Sequence, residues 1–165
     1  SPGRPSETGI YRDAEAAWRW LTVTQGIPPD EIIVVGRSLG GAPAAYLAGS
    51  VAPGPRAVIL ESVFASVPDI ARVHYPFLPS WLARLDLPTV KFVAAIRCPV
   101  LVLHSPDDEI VPFAQGRRVF AAANPPKDFG ELRGDHNHCY QLDADNYRRR
   151  LAVFLDAHLP PPPEK

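Results

Sequence analysis

An apolar run that ends in Gly36-Arg37-Ser38-Leu39-Gly40-Gly41 constrains this chain more than any other stretch. The run itself, Glu31-Ile32-Ile33-Val34-Val35, is short and rich in β-branched residues, as a fully buried parallel strand is. After it, Gly41-Ala42-Pro43-Ala44-Ala45-Tyr46-Leu47-Ala48 reads as a helix of small residues. Pro43 falls near the first turn, where its missing N–H has no helical partner to lose. A G-x-S-x-G motif between such a strand and such a helix places the serine on a sharp turn, the arrangement called a nucleophile elbow. Gly36 and Gly40 are expected where a Cβ would collide with the strained backbone. The N–H of Leu39, at the start of the helix, can then stabilise an oxyanion. The competing interpretation is an ordinary strand–turn–helix with an incidental serine.

The rest of the chain supplies more of the same alternation. Ala57-Val58-Ile59-Leu60-Glu61-Ser62 and Pro99-Val100-Leu101-Val102-Leu103-His104 read as further buried strands. Lys127-Asp128-Phe129-Gly130-Glu131-Leu132 is a more polar strand, as an edge or late strand would be. Helices are expected over Thr8 to Thr24 on a stripe of Ile10, Ala14, Ala17 and Leu21, over Pro112 to Ala123, and over Leu142 to His158. In the last, Tyr147, Leu151, Phe154, Leu155 and His158 share a stripe, and Arg148-Arg149-Arg150 reads as a solvated face. Strands alternating with helices make βαβ units and a mostly parallel sheet between helical layers, a three-layer α/β/α fold.

With 165 residues, the chain is long enough for one domain with a proper core, expected over 1–159, followed by a disordered Pro-rich tail over 160–165. The net charge of −1 and the lack of a basic stripe argue against a nucleic-acid partner. No apolar run approaches ~18 residues, so membrane association is not evident. No signal peptide is apparent, and a cytoplasmic location is the expectation. Cys98 and Cys139 do not make a disulfide framework and read as small buried or wall residues. His136, His138 and Cys139 stand too close together for an ordinary zinc site; no metal or organic cofactor is expected.

Between about residues 64 and 95 the pattern is irregular and rich in aromatics and proline. Its functional interpretation is a cap walling an acyl or side-chain pocket, with Arg37, Phe64, His74, Tyr75, Phe77, Trp81 and Val111 as candidate lining residues. Ordinary surface packing is the alternative.

In open α/β sheets, chemistry gathers beyond the carboxyl ends of the strands. Three such loops here carry, in chain order, Ser38, then Asp107-Asp108-Glu109, then Gly134-Asp135-His136-Asn137-His138. A serine needs a base with a near-neutral pKa, and that base needs a carboxylate to fix its tautomer. On residue types alone, Asp107 competes with Asp108 and His138 with His136. Glu61, at the end of the strand beside the elbow, is either a substitute acid or a hydrogen-bonding support.

The three motifs Gly36-Arg37-Ser38-Leu39-Gly40, Leu103-His104-Ser105-Pro106-Asp107-Asp108-Glu109-Ile110-Val111-Pro112 and Gly134-Asp135-His136-Asn137 resemble those of the α/β-hydrolase superfamily, most closely its serine-aminopeptidase-like and depalmitoylase-like members. Nearly the whole chain is covered, including Tyr11-Arg12-Asp13-Ala14 and Trp20-Leu21. The resemblance implies a catalytic Ser38, Asp108 and His136, with the order Ser, Asp, His that this arrangement requires. Ser105, where relatives usually have glycine, and His138, where they often have an acid, depart from the pattern. It also implies earlier strands and a second oxyanion donor that nothing before Ser38 resembles, so the expectation is the C-terminal part of the fold, with a first strand unpartnered on one side. The implied activity is cleavage of an ester or thioester through an acyl-enzyme, on a small acyl ester or acylated substrate. A peptidase or amidase with the same triad and a non-catalytic binding domain are the alternatives. The sequence leaves the oligomeric state open.

Overall fold

The computed structural model describes residues 6–77 and 85–159. The expected tail over 160–165 and Trp81 lie outside the described residues. Four strands form one sheet: β1 (Ile33–Arg37), β2 (Ala57–Glu61), β3 (Val100–His104) and β4 (Lys127–Glu131). They pair in chain order, and all three pairings are parallel. Every strand therefore points its carboxyl end the same way, and the loops that follow them share one rim of the sheet.

Side-chain alternation sorts the two faces. Val58, Leu60, Val100 and Val102 look toward α2 (Gly41–Ser50), α4 (Thr89–Val93) and α5 (Phe113–Ala122), forming one apolar cluster with Ala44, Ala45, Val93, Ile96 and Val119. Ala57, Ile59, Leu101 and Leu103 look the other way, toward Phe154 of α7 (Ala144–His158) and Cys139 of α6 (Cys139–Leu142). Helices on both faces of a parallel sheet complete the three layers. Helix α1 (Glu7–Arg19) packs on α2, and α3 (Val67–His74) lies in the irregular stretch.

Three expectations need correction. The first strand is not fully buried: β1 is an edge strand, with Ile33 and Val35 exposed on the α7 side of the sheet. The stripe of α1 runs through Tyr11, Ala14, Glu15 and Trp18, and Ala17 faces solvent. The reason is that Tyr11 stacks on Tyr46 of α2, while the Tyr46 hydroxyl donates to Glu15. The helix continues as a π-helical segment, Trp20–Thr24, up to Gly26, whose φ of +67° ends it. The last helix, Ala144–His158, falls close to its expected bounds; Asp143 before it turns its carboxylate onto the Arg133 N–H and the Asn146 amide. Arg150 is not part of a solvated face, because its aliphatic stem packs beside Gly130.

Candidate active site

Ser38 follows the last residue of β1 and takes a φ of +49°, a left-handed conformation that a residue with a side chain adopts only where the surroundings impose it. A 3-10 turn, Ser38–Gly40, then leads into α2. Gly36 is required here: a Cβ would lie 2.6 Å from that of Ala44 and 2.7 Å from the Gly40 carbonyl. Gly40 is not, since a Cβ there meets open space. The second indispensable glycine is Gly41, where a Cβ would overlap Val63 in the loop after β2. The Leu39 N–H belongs to the first turn of this segment, where N–H groups lack intrahelical acceptors.

The loop after β3 carries Asp108, which is 6 % exposed. Its Oδ1 accepts hydrogen bonds from the Ile110 and Val111 N–H groups at 3.1 and 2.7 Å. The loop after β4 carries His136, 5 % exposed. Its Nδ1 stands 2.8 Å from Asp108 Oδ2 and 2.9 Å from Oδ1, and its Nε2 stands 3.0 Å from Ser38 Oγ. With the Nδ1 proton on the carboxylate side, Nε2 is an acceptor for the serine hydroxyl. Asp107 and His138 are both exposed. The Asp107 N–H donates to Ser105 Oγ, and the His138 ring meets Asp135.

Behind the aspartate lies His104, fully buried at the end of β3. Its Nε2 donates to the Val111 carbonyl at 2.8 Å and lies 3.5 Å from Asp108 Oδ2. Burial pushes its pKa below the usual histidine value despite the nearby carboxylate, so the ring is neutral and the contact is not an ion pair at neutral pH. Glu61 is likewise buried, and it supports the elbow: its Oε1 accepts from Arg37 Nε at 3.1 Å and its Oε2 from the Tyr147 hydroxyl at 3.2 Å.

Of the expected pocket residues, all but Trp81 lie among the described residues. Phe64 and Val111 are buried with Ala42 and Leu87 in a small apolar cluster. Arg37 is engaged by Glu61 and the His136 carbonyl rather than left open for a substrate. The His74 ring bonds the Ile110 carbonyl at 2.6 Å, tying α3 to the loop of Asp108. Tyr75 and Phe77 are exposed. None of these residues lines either of two cavities of about 620 and 660 Å³ elsewhere on the molecule. Glu109, which the sequence places in the same loop without a role, uses its carboxylate to accept from the His136 N–H at 3.0 Å. Its position beside Asp108 was the one available signal. Among the described residues there is no cluster of three metal-binding side chains, and no helix is long and apolar enough to cross a membrane.

No family model matches the chain. It is 41% identical over 159 residues to an uncharacterised protein of Mycobacterium tuberculosis, covering 95% of this chain and 53% of that protein. It is 33% identical to the alpha/beta hydrolase domain-containing protein WAV2 of Arabidopsis thaliana, over 97% of this chain and 58% of the relative. Identity to the human alpha/beta hydrolase domain-containing protein 17B is 31%, over 96% and 53%. The chain thus spans about half the length of the curated relatives it matches. Among solved structures, it resembles the esterase domain of a Rhodothermus marinus protein, with 26% identity, a TM-score of 0.66, and coverage of 90% of this chain and 68% of that one. It superposes on the Pyrococcus furiosus esterase Pf2001 with a TM-score of 0.71 at 19% identity, covering 96% and 65%. With helices on both faces of a parallel sheet, relatives named alpha/beta hydrolase domain-containing proteins and esterase structures of the same architecture, the chain has an α/β-hydrolase fold.

Proposed function

We propose that this chain carries the reacting groups of a serine hydrolase that cleaves an ester or thioester through an acyl-enzyme. The observation that carries the reading is the relay from Ser38 Oγ through His136 to the buried carboxylate of Asp108, each step at 3.0 Å or less. On this reading Ser38 Oγ attacks the acyl carbon and its proton passes to His136 Nε2. Asp108 fixes the Nδ1–H tautomer and stabilises the imidazolium. The Leu39 N–H faces the oxygen that becomes negative. Collapse of the tetrahedral species expels the alcohol or thiol, which takes the proton from Nε2. Water then gives a proton to Nε2, attacks the acyl carbon and releases the acid and free Ser38.

The test is labelling by a fluorophosphonate, with turnover of p-nitrophenyl esters, acyl-thioesters and aminoacyl anilides. Ser38→Ala is expected to abolish labelling and ester turnover while leaving the melting temperature unchanged. Wild-type labelling confined to another residue, or retained turnover by the alanine variant, refutes the assignment. Anilide turnover exceeding ester turnover makes the protein a peptidase or amidase. An unlabelled, inactive wild type favours a binding domain.

A further inference from the structure

His136 sits in a loop, yet its ring must meet Ser38 on one side and Asp108 on the other. Its backbone is held from both directions. The N–H donates to Glu109 Oε2 at 3.0 Å, and the carbonyl accepts from the Arg37 guanidinium. Arg37 directly precedes Ser38, and Glu109 directly follows Asp108. The two groups that the imidazole must bridge are therefore each adjacent in sequence to a side chain that grips the main chain of the imidazole's own residue.

Arg37 is itself fixed. It is the register partner of Glu61, so both side chains lie on the same face of the sheet. Glu61 stands where Ala57 and Ile59 would continue an apolar stripe, and it is 4 % exposed. A carboxylate buried this far is costly unless its oxygens are satisfied. It accepts from Arg37 Nε, from the Tyr147 hydroxyl and from the Cys139 thiol, the last at 3.7 Å. Burial, together with the charge of Glu61, pushes the Tyr147 hydroxyl up to about 12, so it stays a donor. The guanidinium carbon lies 5.4 Å from the centre of the Tyr140 ring. One buried carboxylate thereby connects β1 and β2 to α6 and α7, and Arg37 passes that rigidity to the carbonyl of His136.

We propose that Arg37 and Glu109 are positioning residues, a two-sided clamp on the main chain of His136 that sets the ring at bonding distance from both Ser38 and Asp108. The inference rests on the proposed roles of those three residues. Both side chains act through the main chain of His136, so their loss is expected to lower kcat rather than raise KM. A misplacement of about 1 Å costs on the order of 10²-fold.

Glu109 is exposed, so Glu109→Ala can be made without burdening the core. Its expected effects are fluorophosphonate labelling slowed by about 10–100-fold and broadening of the low-field proton resonance of His136 Nδ1–H. Glu109→Gln, whose amide oxygen still accepts from the His136 N–H, recovers most of both. The other side is tested by the double variant Arg37→Gln, Glu61→Gln, which leaves no buried carboxylate unpaired. It is expected to slow labelling with a retained cooperative melt. If wild type labels and the variants label equally fast with an unchanged resonance, the clamp is refuted and the serine hydrolase stands. If wild type shows the resonance but does not label, the hydrolase reading falls. The clamp then stands or falls on whether Glu109→Ala broadens the resonance and Glu109→Gln restores it. Absence of both labelling and the resonance in wild type overturns both.

Discussion

Asp107 and Asp108 are neighbours of the same chemical type, and only one of them has partners that hold a carboxylate in place. Asp108 accepts two backbone N–H groups and faces the imidazole, whereas the Asp107 side chain is exposed. Asp108→Asn is therefore expected to lower the turnover of p-nitrophenyl esters by about 10⁴-fold, because the amide no longer fixes the tautomer. Asp107→Asn is expected to stay within about twofold, as exposed substitutions away from a site usually do. His104 gives a prediction about stability. Its folded-state pKa is depressed by burial, whereas in the unfolded chain it titrates near the ordinary value, about 6.5. Below that pH the unfolded state gains a proton that the folded state does not. Stability from this group is thus present above about pH 6.5 and falls as pH drops, until the folded pKa is reached. The slope of denaturant-derived stability against pH between about 5 and 7 should be shallower in His104→Asn than in wild type. An equal slope in both would refute this. At this scale the sequence was legible where residue type decides and illegible where a neighbour's backbone does. The sharp turn that carries Ser38 is legible because Gly36 and Gly41 are residue types that its close packing needs. The role of Glu109 is not, because it depends on the N–H of a residue 27 positions away.

The elbow shows the same limit one level up. The strand, the sharp turn and the small-residue helix were readable, because β-branched and small residues sort themselves by packing. Which glycine is sterically required was not, because Val63 reaches Gly41 from the loop after another strand. Gly41→Ala is expected to cost about 1–3 kcal/mol through overpacking. Gly40, in ordinary helical backbone with free space around it, should tolerate alanine within about 0.5 kcal/mol. Thermal melts of the two variants separate the cases, and equal shifts would mean that the Val63 contact yields easily. The buried stripe of α1 departs from the expected one for a related reason. Its aromatic Tyr11 and Trp18 outweigh the aliphatic Ile10 and Leu21, since α2 presents Tyr46 as a stacking partner. Helix α7, which packs on an ordinary apolar face, kept its expected stripe from Tyr147 to Leu155.

At the scale of the molecule, the sheet order follows chain order, as three consecutive βαβ-type connections suggest. Among the described residues that leaves β1 at an edge, with its own Val35 59 % exposed. A free edge flanked by apolar side chains is a template for pairing with another chain. The chain is expected to self-associate as concentration rises, and Val35→Lys, which charges that edge, to hold it monomeric by light scattering. A wild type that remains monomeric throughout would refute this. The strand order also has a consequence in time. Ser38 leaves the ribosome 98 residues before His136, and no later segment inserts between strands already paired. At about 5–20 residues per second, the nascent chain would carry an unactivated serine for roughly 5–20 seconds. On the proposed reading, the relay from Ser38 to Asp108 would be completed only when the loop after β4 brings in His136.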